Sequence, residues 1–141
     1  MTANLGEGWS DASCTLGKDH RVRVNGSSES SWTSDDSWLV QDLWSADIDG
    51  DGMKELILLV WKQGSFGRHK PFWVKEDERT FSQHIFVIEV REGRMVSVWM
   101  SSKFPVEVER LEADGSRLTI WSPDGAETSW VWDTWGYMLA G

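Results

Sequence analysis

Ala46-Asp47-Ile48-Asp49-Gly50-Asp51-Gly52-Met53-Lys54-Glu55-Leu56, running on into Ile57-Leu58-Leu59-Val60-Trp61, is the stretch that decides the fold. From Leu56 to Trp61 every position is apolar, which reads as a central strand covered on both faces. The part before it places carboxylates at relative positions 1, 3, 5 and 9 and Gly52 at position 6. Acids on alternate residues of a tight loop converge on one point, and a hard cation such as Ca²⁺ takes about six to eight oxygen ligands. Gly52 supplies the sharp turn, because glycine adopts positive φ without a steric penalty. The expected ligands are the side chains of Asp47, Asp49, Asp51 and Glu55, with the Met53 carbonyl at position 7 and water completing the shell.

An EF-hand is excluded. That motif needs a bidentate Glu at position 12 between two helices, whereas position 12 here is Leu58, inside the apolar run. The ion-free alternative is a polar turn, since Asp and Gly are ordinary turn residues and Asp-Gly between apolar runs is a hairpin signal. Against it, four carboxylates within nine residues repel one another unless a cation sits between them.

Working outward, the chain reads as β almost without interruption from Trp38. Trp38 to Ala46, Leu56 to Trp61, His84 to Arg91 and Met95 to Met100 make one four-stranded meander, with Glu92-Gly93 as its last turn. Pro105 to Leu111, Leu118 to Trp121, Thr128 to Asp133 and Trp135 to Leu139 make a second, turning at Asp114-Gly115 and Pro123-Asp124-Gly125. Ala46-Asp47 is echoed by Ala113-Asp114, 67 positions on, as in a degenerate internal repeat. Residues 1–36 are Ser-, Gly-, Asn- and Asp-rich and weakly patterned, with one short strand expected at His20 to Val24 and the rest read as loop. The expected organisation is therefore a poorly patterned segment, 1–36, and one all-β domain, 37–141, built of two units at about 37–103 and 104–141.

Asp-x-Asp-x-Asp-Gly-x-x-Glu followed by Leu and an apolar strand resembles the calcium loop of FG-GAP (VCBS-type) repeats. That resemblance implies four-stranded antiparallel blades of a β-propeller whose first hairpin binds Ca²⁺, as in integrin α-subunits and bacterial surface proteins. It also implies an extracellular or cell-surface setting. A propeller closes with about four to eight blades, and two meanders fall short of that. The two sheets are expected to pack on each other, to assemble with further copies of the chain as a homo-oligomer, or to belong to a longer protein.

Charge and composition narrow the partners. With 141 residues and a formal net charge of −9, the chain is unsuited to nucleic acid, whose binding rests on phosphate neutralisation by Lys and Arg. Nor does any apolar run approach the roughly 18 residues of a membrane-spanning helix. Met1 to Glu7 has neither the basic nor the apolar region of a signal peptide. A single cysteine, Cys14, precludes an intramolecular disulfide. Most of the eleven tryptophans are expected in the core.

Within this acidic chain, Trp61 to Lys75 carries four Lys or Arg residues and no acid. Gly64, Gly67 and Pro71 break it into a long loop, and Arg68, His69, Lys70, Phe72 and Trp73 offer the cationic and aromatic mixture of interaction hot spots. The alternative is that Phe66, Phe72 and Trp73 fold back onto the core.

No catalytic residue is assigned. The three histidines lie in no nucleophile or metalloprotease motif, and Cys14 with His20 is a weak thiol–imidazole pair. Three functions are thus in view: a non-enzymatic calcium-stabilised module with a protein or glycan ligand, a carbohydrate-binding module using exposed tryptophans, and, least supported, an enzyme.

Overall fold

The computed structural model describes residues 1–27, 29–63, 81–133 and 136–140. It is all-β: twelve strands in three four-stranded antiparallel meanders, with no helix among the described residues. The first sheet comprises β1 (Thr2–Ala3), β2 (Ala12–Leu16), β3 (Val22–Asn25) and β4 (Ser31–Thr33). The middle sheet comprises β5 (Leu39–Ala46), β6 (Glu55–Gln63), β7 (Phe81–Arg91) and β8 (Arg94–Met100). The third comprises β9 (Arg110–Asp114), β10 (Arg117–Trp121), β11 (Glu127–Asp133) and β12 (Gly136–Leu139).

Residues 1–36, expected to be mostly loop, instead supply a whole sheet. Its strands are two to five residues long, and they bury small or β-branched side chains: Ala3, Ala12, Cys14, Val22 and Val24. Ser13, Thr15, Arg23, Asn25, Ser31 and Thr33 point the other way and are exposed. Two meanders were expected and three are present.

Side-chain alternation in the middle sheet sets the layering, because successive residues of a strand face opposite sides. Leu56, Leu58, Val60, Phe86 and Ile88 join the first sheet's apolar residues in one core, together with Trp9 and Trp38. Ile57, Leu59, Ile85 and Val87 join Leu111, Leu118, Ile120, Trp130 and Tyr137 in the other. Residues 56–60 are fully buried, as their unbroken apolar run requires of a strand covered on both faces. At roughly 25 cal/mol per Å² of apolar surface removed from water, two such interfaces dominate the stabilisation of the chain.

A buried amide fastens the middle and third sheets. Gln83, 6% exposed, accepts the Val108 N–H at 2.8 Å and donates to the Val108 carbonyl at 2.7 Å. It also donates to Gln41 at 3.0 Å, and the Gln41 side chain in turn accepts the Trp61 indole N–H at 2.8 Å. Gln41 lies where the β5–β6 register shifts, a bulge of the kind that re-aims a side chain.

Candidate metal centre

In each sheet an alanine followed by Asn or Asp stands at the end of the first strand: Ala3-Asn4 and Ala46-Asp47, where the alanine is the last strand residue, and Ala113-Asp114, where the aspartate is. The repeat expected twice thus occurs three times, and only the middle copy carries the ladder of acids. There the loop joins β5 to β6 across the Ala46–Glu55 pair.

Asp47, Asp49, Asp51 and Glu55 each present one carboxylate oxygen, and these four oxygens lie within 4.8 Å of one another. Main-chain amides hold them there. Asp47 accepts Gly50 N at 2.9 Å and Asp51 N at 3.1 Å through Oδ1, and Gly52 N at 2.9 Å through Oδ2. Asp49 Oδ1 accepts Asp51 N at 3.2 Å, and Asp51 Oδ1 accepts Met53 N at 2.8 Å. Each carboxylate oxygen has two lone pairs, so Asp47 Oδ2, Asp49 Oδ1 and Asp51 Oδ1, with one amide apiece, each keep one for a cation, whereas Asp47 Oδ1 has both taken. Gly50 and Gly52 have φ of 76° and 89°, and a Cβ at either would meet nothing within 4 Å. Glycine is therefore required by backbone conformation and not by crowding.

Glu55 differs from the three aspartates. It begins β6, is only 2% exposed, and accepts Ile48 N at 3.0 Å through Oε2. Alternation places its side chain with Ile57 and Leu59, on the face toward the third sheet. Burial pushes its carboxyl up to about 8, the Ile48 amide opposing and the neighbouring Asp49 and Asp51 adding to the rise. Burial also raises Asp51, with the charges of Asp49 and Asp47 behind it. At Asp49 burial works upward too, but hydrogen bonding with Glu55 and Asp51 outweighs it and leaves that carboxyl lowered. Two of the four acids, Asp51 and Glu55, thus resist ionisation for want of positive charge, which suits a divalent cation that would deprotonate them on binding.

Two cavities flank the loop. One of about 180 Å³ lies toward the first sheet, between Leu5-Gly6-Glu7 and the β7–β8 turn, with Glu55 in its wall. The other, about 500 Å³, lies toward the third sheet and is lined by Ile48, Asp49, Glu89, Arg91, Val98, Trp132 and Asp133. Glu89 borders both and pairs with Arg91. The loop is also tied to the first sheet: Lys54 N donates to the Asn4 carbonyl at 2.8 Å.

The four expected acidic ligands are brought together. The Met53 side chain is exposed, so Met53 would join through its main chain alone. The proposed partner-binding residues Arg68, His69, Lys70, Phe72 and Trp73 lie outside the described residues. Cys14 is buried in the first core and burial raises its thiol, which makes it an inert core residue. His84 has both ring nitrogens engaged, Nδ1 with the Ser101 carbonyl and Nε2 with Ser82 Oγ, each at 2.9 Å. Asn4 escaped the sequence reading because it meets the loop from another sheet, and no local pattern marks it. No family model, curated protein or solved structure matches this chain.

Proposed function

We propose that this chain is a non-enzymatic, calcium-stabilised β module similar to FG-GAP repeats, serving as a protein-interaction or structural module at a cell surface. The observation that carries the proposal is the cage itself: four carboxylate oxygens within 4.8 Å, held by the loop's own amides at the mouth of the most buried strand. Ca²⁺ is favoured over softer metals because every side-chain donor is a carboxylate oxygen. Three stacked meanders, each opening on an Ala-Asn/Asp hairpin, support the likeness to propeller blades. Bound calcium would pin the β5–β6 hairpin between its two neighbours and so couple ion binding to the stability of the whole stack.

The partner in this reading is a protein or glycan, with the basic, aromatic segment 61–75 as its recognition element. The exposed Ser, Thr, Asn and Arg side chains of the first sheet's outer face make that face a poor one for closing a ring with further copies. The nine described tryptophans are buried or half-buried, so no observation favours a glycan platform built on exposed ones. Neither cavity is lined by histidine, and no observation favours a hydrolytic site.

Asp49→Ala tests the cage. In calcium at about a thousand times its dissociation constant, the wild type gains about 4 kcal/mol that the variant forfeits. In chelator the two should unfold within about 2 °C of each other. Equal losses in both conditions would leave the loop as a turn and no more.

A further inference from the structure

The third sheet carries a polar group that its own packing leaves without a partner. Tyr137, on β12, is 6% exposed, and its hydroxyl has no hydrogen-bond partner among the described residues. Its ring is fixed by edge-on contacts with Trp132, centroids 5.2 Å apart, and Trp99, centroids 5.8 Å apart. Burying a hydroxyl unpaired costs about 1–3 kcal/mol, and a phenylalanine would fill the same aromatic cluster without that cost.

Its surroundings indicate what the hydroxyl serves. Tyr137 belongs to the core between the middle and third sheets, which also holds Ala46, Ile48 and Ile57, the residues bracketing Asp47 and Glu55. Glu55 faces that same interlayer by strand alternation. Trp132, against which Tyr137 packs, lines the cleft of about 500 Å³ together with Ile48 and Asp49. Burial and then the negative charge of Glu55 hold the phenol above its usual range. A carboxylate near a neutral phenol O–H is a natural acceptor for it.

We infer that Tyr137 is a positioning residue of the cation centre, contributed by the third sheet, whose hydroxyl donates to the Glu55 side of the cation's oxygen shell. This rests on the cation cage proposed above. A carboxylate fixed beside a cation is an ordered acceptor for a buried hydroxyl, so the Tyr137 bond forms or strengthens as the ion orders the Glu55 side chain. Cation binding thereby fastens the third sheet to the middle one, at the end opposite the Gln83–Val108 amide latch.

The test is Tyr137→Phe in the full chain, titrated with CaCl₂ alone and melted in calcium and in chelator. The variant should bind calcium about tenfold more weakly, the lower end of effects for outer-shell partners. Its midpoint in chelator should be unchanged or slightly higher. Tyr137 is the only tyrosine, so ring-labelled tyrosine gives a single reporter, and its phenolic carbon resonance should move on calcium addition to the wild type. Unchanged calcium affinity in the variant, or an equal loss of stability in both conditions, would overturn the inference and leave the cage intact, as would an unmoved tyrosine resonance in a wild type that binds calcium. A wild type with no calcium response would remove the cage and this inference together.

Discussion

Glu55→Gln separates the two roles of the most buried acid in the site. With its carboxyl pushed up to about 8, Glu55 in chelator is mostly protonated at pH 7, and glutamine closely matches the protonated acid in shape. The substitution should therefore cost little in chelator at pH 7. A folded-state value raised above the ordinary 4.5 contributes stability that is full below pH 4.5 and lost as pH climbs through 8. Between pH 5 and pH 8 that loss is about 3.5 kcal/mol, at 1.36 kcal/mol per unit with partial titration at both ends, or roughly 10 °C in melting temperature for a chain of this size. Metal-stripped wild type should thus melt at progressively lower temperature across this range, and Glu55→Gln should be nearly flat over it. In calcium the order reverses, because the wild type supplies a carboxylate where the variant supplies a neutral oxygen, and calcium's stabilisation should grow with pH in the wild type only. Thermal melts by circular dichroism from pH 5 to 9, in calcium and in chelator, read both effects. A variant as pH-dependent as the wild type in chelator, or one that keeps the full calcium-induced rise, would refute the reasoning.

Two further outcomes follow from packing alone. Gln83→Leu removes the acceptor of the Val108 N–H and the closer donor to its carbonyl, leaving only Gln41 Nε2 at 3.4 Å, and should cost about 1–3 kcal/mol in denaturant melts, by the same amount in calcium and in chelator. Gly136→Ala would drive a Cβ into the Trp99 indole at a φ of 133°, so equilibrium unfolding should show a loss of at least about 2 kcal/mol; a neutral result would mean that the Trp99–Tyr137 packing is not as described.

What was legible in the sequence was what is local. The run from Leu56 to Trp61 announces a strand buried on both faces because no polar residue interrupts it, and the acids from Asp47 to Glu55 announce a cage because all four lie on one loop. The middle meander and most of the third followed from alternation and Gly-containing turns. Only β9 was displaced: the alternating stretch from Pro105 contributes Val108 to the core, but pairing begins at Arg110. The first sheet was illegible for a physical reason. Its strands are short, its inward residues are small, and its outward face is Ser, Thr and Asn, which in a sequence read as loop. The alternation from His20 to Val24 was the sole visible trace, and the strand it marks runs from Val22 to Asn25. The Asn4 contact with the loop and the place of Tyr137 in the same core as Ala46 and Ile48 were invisible because they exist only once the sheets are stacked.

The central claim is that the loop from Asp47 to Glu55 holds a cation that stabilises the stack, and calorimetric titration of the metal-stripped chain with calcium tests it most directly. One saturable site per chain, far weaker or absent for magnesium and accompanied by release of a fraction of a proton to about one proton at pH 7, is the predicted result. No binding heat at millimolar calcium, with a melting temperature equally unmoved, would contradict it.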